Sequence, residues 1–365
     1  MAADYMARIG RAQTEMATKG IDALIVGVGS DLIYLAGYPA HPSSRMTLLV
    51  VPREGETKII VPVLEAPRVK ALGIPFSVVT WGETDNAQQI AADLLKQHGA
   101  RTVAAGDELW ARWLVRIQNL APGLKWEVGS LLLRELRMLK DAAEIASLRE
   151  AAHRTDAAWE EFKSSTKLTG LTEQGAIARL TEVMKAHGMD SHGGICASGP
   201  NSASPHHSTG DRVIQAGDAV CFDFGGLYEH YHSDITRMVH IGEPDAEYRK
   251  VYDIVLRANA AAFAAVRPGV QCQAVDTAAR DLITAEGYGE QFVHRVGHGL
   301  GLDVHEEPYL VQGNALPMRA GMVFSDEPGI YMPGKFGVRI EDACVCTESG
   351  GDKLNQAPRD LAVME

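Results

Sequence analysis

An aspartate set inside an apolar strand is the feature that most narrows what this chain can fold into. In Val220-Cys221-Phe222-Asp223-Phe224-Gly225, strand period puts Val220, Phe222 and Phe224 on one face and Cys221 with Asp223 on the other. An ionised carboxylate buried there alone would take up a proton, whereas a bound cation removes the penalty. A return strand, Tyr231-His232-Ser233-Asp234-Ile235-Thr236-Arg237, carries a second carboxylate, and Gly225-Gly226 reads as the hairpin bend that sets the two aspartates face to face across the ladder. The alternative, a pair of solvated surface aspartates, is disfavoured by the apolar neighbours of Asp223.

Three later segments add to the pair. Gly297-His298-Gly299-Leu300-Gly301 surrounds an imidazole with glycines, which let the backbone bend closely around a site. Asp326-Glu327-Pro328-Gly329 ends the apolar run Gly321-Met322-Val323-Phe324 with carboxylates, and Val338-Arg339-Ile340-Glu341-Asp342 alternates so that Arg339 and Glu341 share a face. Asp223, Asp234, His298, Glu327 and Glu341 are thus four carboxylates and one imidazole without a cysteine. That set suits hard or borderline cations, manganese first with cobalt or zinc as alternatives, rather than a structural zinc site. It can hold two divalent ions about 3.5 Å apart, with a water between them activated as a nucleophile.

The five motifs, in this order and over close to the whole chain, resemble those of the pita-bread metallopeptidases, family M24, which includes methionine aminopeptidase, aminopeptidase P and prolidase. The likeness is carried by Phe222-Asp223-Phe224-Gly225, Ser233-Asp234-Ile235-Thr236-Arg237, Gly297-His298-Gly299, Glu327-Pro328-Gly329 and Arg339-Ile340-Glu341-Asp342. The resemblance implies that Asp223 chelates one ion, that Asp234 and Glu341 bridge both, and that His298 and Glu327 complete the second. It also makes Glu327 the general base toward the metal-bridging water. His206, in Ser204-Pro205-His206-His207, and His305, in Asp303-Val304-His305-Glu306-Glu307-Pro308, match family positions that touch substrate, stabilise the tetrahedral intermediate and help the amine leave. His207 is the alternative to His206 and otherwise its orienting neighbour. Arg339 is expected to hold a ligand or the substrate carboxylate, or else to pair with Asp326 or Asp342. His192, His230 and His232 read as polar loop or rim residues.

Residues 1–129 read as an α/β layer. An amphipathic helix through Met6, Ile9 and Met16 precedes strands near Ala23–Val28, Thr47–Val51, Lys58–Val61 and Thr102–Ala104, with helices near Ala87–Gln97 and Trp110–Leu120. This segment resembles the creatinase/prolidase N-terminal domain. Residues 130–365 are expected to form the α+β pita-bread catalytic domain. A helical stretch Leu131–Phe162, interrupted near Lys140-Asp141 with Asp141 as N-cap, opens it. Helices at Thr172–His187, Ala246–Val266 and Ala274–Glu286 then separate the strand motifs, which suits a curved, mostly antiparallel sheet. The two pseudo-symmetric halves of that fold are implied by the resemblance; no internal repeat is visible.

The 365 residues, 46% of them hydrophobic, are enough for two cores. A net charge of -12 without a concentrated basic run disfavours nucleic acid and an anionic membrane surface. Neither a run of roughly 18 apolar residues nor a secretory signal is present, so a cytoplasmic protein is expected. Cys196, Cys221, Cys272, Cys344 and Cys346, odd in number and without Cys-x-x-Cys spacing, read as core residues. Domain size makes the chain similar to prolidases and aminopeptidase P, which implies hydrolysis of the N-terminal Xaa-Pro bond of dipeptides or short peptides by a homodimer. Tyr34, Tyr38 and Trp81 are candidates for the cleft wall that the N-terminal domain, often of the second subunit, supplies. Two other functions remain open: a metallohydrolase of another small amide or phosphotriester, and a non-catalytic peptide-binding module. The second is disfavoured because metal-free relatives lack several of the five ligands.

Overall fold

The computed structural model describes residues 4–191 and 193–365, which places His192 outside the described residues. The chain divides into two compact units between Arg137 and Met138. The helix Ser130–Met138 starts beside the boundary expected near Gly129, and the units part at its last turn.

The first unit is built on a six-stranded mixed sheet of β1 (Ala23–Val26), β2 (Leu48–Pro52), β3 (Lys58–Pro62), β4 (Ser77–Trp81), β5 (Thr102–Ala105) and β6 (Lys125–Val128), in the order β4-β3-β2-β1-β5-β6. β1 is central and buried on both faces, which is why its sequence is a continuous apolar run rather than an alternation. Local capping sets the flanking helices. Asp4 caps Tyr5–Lys19, which stops at left-handed Gly20, and Asn86 caps Ala87–Gln97. Tyr34 and Tyr38 are buried inside this unit, their hydroxyls donating to the Leu136 carbonyl and to Glu65, and the Trp81 indole donates to the Met46 carbonyl. Tyr34 and Tyr38 are therefore core residues and present no aromatic wall.

The second unit opens with the helix Ala142–Ser165, started by a capping box in which Asp141 accepts from the Glu144 amide and Glu144 accepts from the Asp141 amide. One sheet contains β7 (Gly194–Ser198), β8 (Ala219–Tyr228), β9 (Tyr231–Ile241) and, parallel to β9, a C-terminal strand Ala362–Met364. A second contains β10 (Gly297–Gly299), β11 (Glu306–Leu310), β12 (Val323–Asp326), and two further strands, Asp342–Thr347 and Gly350–Lys353, in the order β11-β10-β12 followed by those two. The hairpin of Gly329–Met332 with Phe336–Arg339 completes the strands of this unit.

The sheet corrects one expectation. β8 continues through Gly225-Gly226, and the bend is at Glu229 and His230, whose φ angles of 48° and 72° give the left-handed pair that a tight hairpin requires. Gly225 is needed for a different reason: a Cβ there would lie 1.9 Å from the Ser233 carbonyl oxygen. In the resulting register Asp223 pairs with Thr236 and Asp234 with Gly225, so the two aspartates are diagonal neighbours on one face rather than directly opposed.

The alternation in β8 divides the core. Phe222 and Phe224 pack against Trp159, with ring centroids 5.5 and 5.4 Å away, while Cys221 belongs to a separate apolar cluster on the other face. All five cysteines are buried and free. Among the described residues no helix is long and apolar enough to cross a membrane.

Candidate metal centre

A cavity of about 850 Å³ opens in the second unit, and all five expected ligands line it, as do His206, His305 and Arg339. Asp223 comes from β8, Asp234 from β9 and His298 from β10; Glu327 follows β12, and Glu341 joins the first sheet through a bridge to Thr236. The glycines around His298 are explained by backbone crowding, since a Cβ at Gly297 would lie 1.9 Å from the Ser325 carbonyl oxygen.

Asp234, His298 and Glu341 form a group in which each has a potential ligand atom within 4.8 Å of the others. His298 Nε2 is 3.6 Å from Asp234 Oδ2 and 3.3 Å from Glu327 Oε1. Its Nδ1 lies 3.1 Å from the Gly299 carbonyl, which can only accept, so Nδ1 carries the proton. Burial, reinforced by neighbouring His305, lowers the imidazole to about 3, so it is neutral and Nε2 offers a lone pair. A lone pair therefore faces carboxylate oxygens, an arrangement of acceptors that a divalent cation resolves.

Charge points the same way. Burial, then the charges of Asp223 and Glu327, raise Asp234 well above the ordinary carboxylate range; burial, then Asp234 and Glu327, do the same to Glu341. Burial pushes Glu327 up to about 7, an effect Arg339 partly offsets and Asp223 reinforces. The donor set, with Asp234, His298 and Glu341 buried and Asp223 and Glu327 partly so, is oxygen-rich and unfavourable to ionise together, and it fits a hard or borderline divalent ion.

Asp223 stands slightly apart, its Oδ2 accepting from Arg339 Nη2 at 2.6 Å. The other nitrogens of Arg339 are engaged too. Nη1 donates to the Tyr331 hydroxyl at 2.8 Å and to the Pro205 carbonyl at 3.4 Å, and Nε donates to Thr236 Oγ1 at 3.1 Å. Neither Asp326 nor Asp342 is its partner; Asp342 pairs with Arg237 and Lys353. Tyr331 in turn donates to His294 Nε2 at 2.8 Å, because His294 Nδ1 is committed to the Arg295 carbonyl. Burial lowers His294 to about 4 and keeps that chain of donors and acceptors in one sense.

His305 stacks edge-on against His298, with centroids 4.0 Å apart. His206 faces the cavity, whereas His207 turns away and places Nε2 2.7 Å from Glu173. His232 lines the cavity, and His230 is exposed at the hairpin tip.

Sequence reasoning missed Thr236, Ser325, Tyr331, His294 and Arg295. Thr236 donates to Glu341 Oε2 at 2.6 Å and Ser325 to Glu327 Oε1 at 3.2 Å. Strand period could have found Thr236, two residues from Asp234, and Ser325, two from Glu327. Arg295 lines the cavity with its guanidinium 4.3 Å from the Tyr309 ring centroid and makes no ion pair among the described residues.

Comparison with known proteins places this geometry in context. Residues 146–348 match Metallopeptidase family M24, and residues 8–139 match the Creatinase/Prolidase N-terminal domain. A Mycobacterium bovis protein named "Probable dipeptidase PepE" is 39% identical over 368 residues, covering 99% of this chain and 96% of that protein. Among solved structures, a recombinant prolidase from Thermococcus sibiricus superposes with a TM-score of 0.95 at 37% identity, covering 100% of both chains. An Xaa-Pro dipeptidase from Bacillus anthracis gives 0.91 at 29% identity, covering 99% of this chain and 100% of that one.

Proposed function

The chain belongs to metallopeptidase family M24, and from that premise we propose that it hydrolyses the Xaa-Pro bond of dipeptides, using two divalent ions, manganese by preference. The observation that carries the metal-dependent part is the neutral His298 lone pair facing the Asp234 and Glu327 carboxylates. Asp223, Asp234, His298, Glu327 and Glu341 would hold the ions, which when bound supply Lewis acidity toward water and the scissile carbonyl.

The chain's own groups supply the rest. Glu327 takes the proton of the attacking water, a task suited to a carboxylate whose proton affinity burial has raised toward neutrality. His206 and His305, both on the cavity wall, donate hydrogen bonds to the carbonyl oxygen as it gains charge and pass a proton to the departing proline nitrogen. Arg339 orients Asp223 through the Nη2–Oδ2 hydrogen bond, and with its donors engaged by Asp223, Tyr331, Thr236 and Pro205 it leaves the substrate carboxylate to another group.

Arg295 is the cation suited to that carboxylate, being on the cavity wall without an acidic partner among the described residues. A fixed positive charge there favours a dipeptide, whose free carboxylate lies one residue from the cleaved bond, over a longer chain. We take the enzyme to act as a cytoplasmic homodimer; a monomer by light scattering at working concentration would overturn the second half of that statement.

The test is hydrolysis of Ala-Pro, Ala-Pro-Ala and Ala-Ala by metal-stripped protein with manganese, cobalt or zinc added back. Metal-dependent cleavage confined to Ala-Pro supports the proposal, and cleavage of the tripeptide as well would turn it toward an aminopeptidase. If metal binds and none of the three is cleaved, the substrate class is wrong.

A further inference from the structure

His206 is exposed in the loop that follows β7, and no hydrogen bond to its own side chain holds it among the described residues. The loop around it nonetheless converges on a single carboxylate. Glu173, the first residue of the helix Glu173–Ala186, is 0% exposed, and its two oxygens accept five hydrogen bonds. Oε1 accepts from the Ser198 amide at 2.7 Å, the Ser198 hydroxyl at 2.8 Å and Asn201 Nδ2 at 2.9 Å. Oε2 accepts from His207 Nε2 at 2.7 Å and the Gly210 amide at 3.3 Å. These donors span residues 198–210 and lie on both sides of His206.

We propose that Glu173 is a positioning residue for the reaction: acting through His207 and the loop ends, it fixes the direction in which His206 faces the substrate. This rests on the role given to His206 above. The residues on both sides of His206 are tethered, Pro205 through its carbonyl to Arg339 and His207 through its ring to Glu173. The imidazole between them faces the cavity beside Pro205, whereas His207 does not line it. Ser202 adds a further tie, accepting from the Gly337 amide at 2.9 Å, so the loop is fastened on the side of the metal ligands as well.

The task calls for a carboxylate and not merely a polar group. Burial alone would raise Glu173, but the hydrogen bonds from Asn201, Ser198 and His207 outweigh it and hold the carboxyl below its ordinary range, so it is ionised and purely an acceptor. Its place in the first turn of a helix favours the same charge. A glutamine has the same shape but must aim an N–H at one of the two groups of donors. In one orientation it opposes Ser198 and Asn201; in the other it opposes the Gly210 amide, which cannot reverse its polarity.

The experiment is Glu173→Gln, alone and combined with His206→Ala, in the metal-loaded full chain. Glu173→Gln should lower kcat on Ala-Pro roughly tenfold to a hundredfold, the scale of a misplacement near 1 Å, with KM and metal content close to wild type. Amides of residues 198–210 should exchange faster by mass spectrometry. With His206 already removed, the same substitution should cost nothing further in kcat. An equal loss in the His206→Ala background, or wild-type kcat in Glu173→Gln, overturns the proposal.

His207→Ala provides the same test if Glu173→Gln does not fold, since the other four donors to Glu173 remain. His207→Gln, which retains an amide donor, should recover part of the activity that His207→Ala loses. Should the wild type cleave no Xaa-Pro peptide, the functional reading falls on its own, and unchanged exchange of residues 198–210 in Glu173→Gln would then overturn the tether separately.

Discussion

Stripped of metal, the catalytic unit should lose stability as pH rises, because its ligands are carboxylates that the fold prefers to keep protonated. Glu327 is the member for which a magnitude can be worked. Its ordinary value of 4.5 applies to the unfolded chain, whereas burial holds it up to about 7 in the metal-free fold. Below the lower value both states carry the proton and the contribution to stability is fully present. Between the two the folded state binds the extra proton, so stability falls with rising pH, and the contribution is fully lost above the higher value. The shift corresponds to about 3 kcal/mol. For a unit of this size that is roughly 6–12 °C in Tm. Asp234 and Glu341 are displaced in the same direction and add to the trend.

The assay is thermal unfolding of chelator-stripped wild type and Glu327→Gln at about pH 5 and pH 8. Groups elsewhere titrate in both proteins and cancel in the comparison, whereas glutamine cannot ionise. Wild type should therefore lose more stability than the variant over this interval, by about 2.5 kcal/mol, since part of the contribution is already lost at pH 5. Saturating manganese should remove the decline from wild type, since ion binding displaces the protons. Equal pH dependence in the two stripped proteins would refute the reasoning, because it would mean that water reaches Glu327 freely.

His206→Ala should retain full metal content by elemental analysis while kcat on Ala-Pro falls about 10²- to 10⁴-fold; unchanged turnover would remove His206 from the mechanism. Arg295→Met should raise KM for Ala-Pro by roughly tenfold to a hundredfold, the worth of one charge-assisted contact, and leave any slow cleavage of Ala-Pro-amide unaffected. An equal change on the amide would show that Arg295 does not read the carboxylate. Asp342→Asn should cost about 3–5 kcal/mol in urea unfolding at neutral pH, because it leaves buried Arg237 without its anion. Although burial raises the Asp342 carboxyl, the pull of Arg237 and Lys353 outweighs it and holds the group below its ordinary range. That stability is present above the unfolded value and lost as pH falls through the folded one, so the difference between variant and wild type should shrink in strong acid.

The parts of the site legible in the sequence were those where chemistry conflicts with local pattern. Asp223 among Val220, Phe222 and Phe224, and Glu327 after Val323 and Phe324, are charges where periodicity calls for core, and the structure puts all five expected ligands on one cavity wall. The capping residue Asp141 was legible for a similar reason, since its effect is confined to one helical turn. The hairpin bend was not. Glycines suggested Gly225-Gly226, yet the left-handed positions are held by Glu229 and His230, and Gly225 answers a backbone approach from the opposite strand that no local pattern reveals. Tyr34 and Tyr38 were misread because an aromatic ring on a surface wall and one in a core have the same sequence signature. Glu173 gave no signal at all, for its donors come from residues 198–210, which are remote in sequence.

The hidden residues share a logic that the visible ones lack. Asp223, Asp234 and His298 lie in strands, but strand period alone fixes a side chain's face and not its position to a fraction of an ångström. Position is supplied from behind. Arg237, on the face of β9 opposite Asp234, donates from Nη1 to the carbonyls of Thr236 at 3.0 Å and Glu341 at 2.6 Å, and from Nη2 to Asp342 and the Ala357 carbonyl. One guanidinium thus joins the strand of Asp234 to the segment of Glu341, and Arg339 does the same on the cavity side for Asp223, Thr236 and the His206 loop. The two segments meet at the bridge between Thr236 and Glu341, so a shift of either sheet would strain the Asp234–Glu341 pair. The two arginines hold these segments from opposite faces, which makes the bridge and its flanking guanidiniums, more than any one carboxylate, the element that keeps Asp223, Asp234 and Glu341 together.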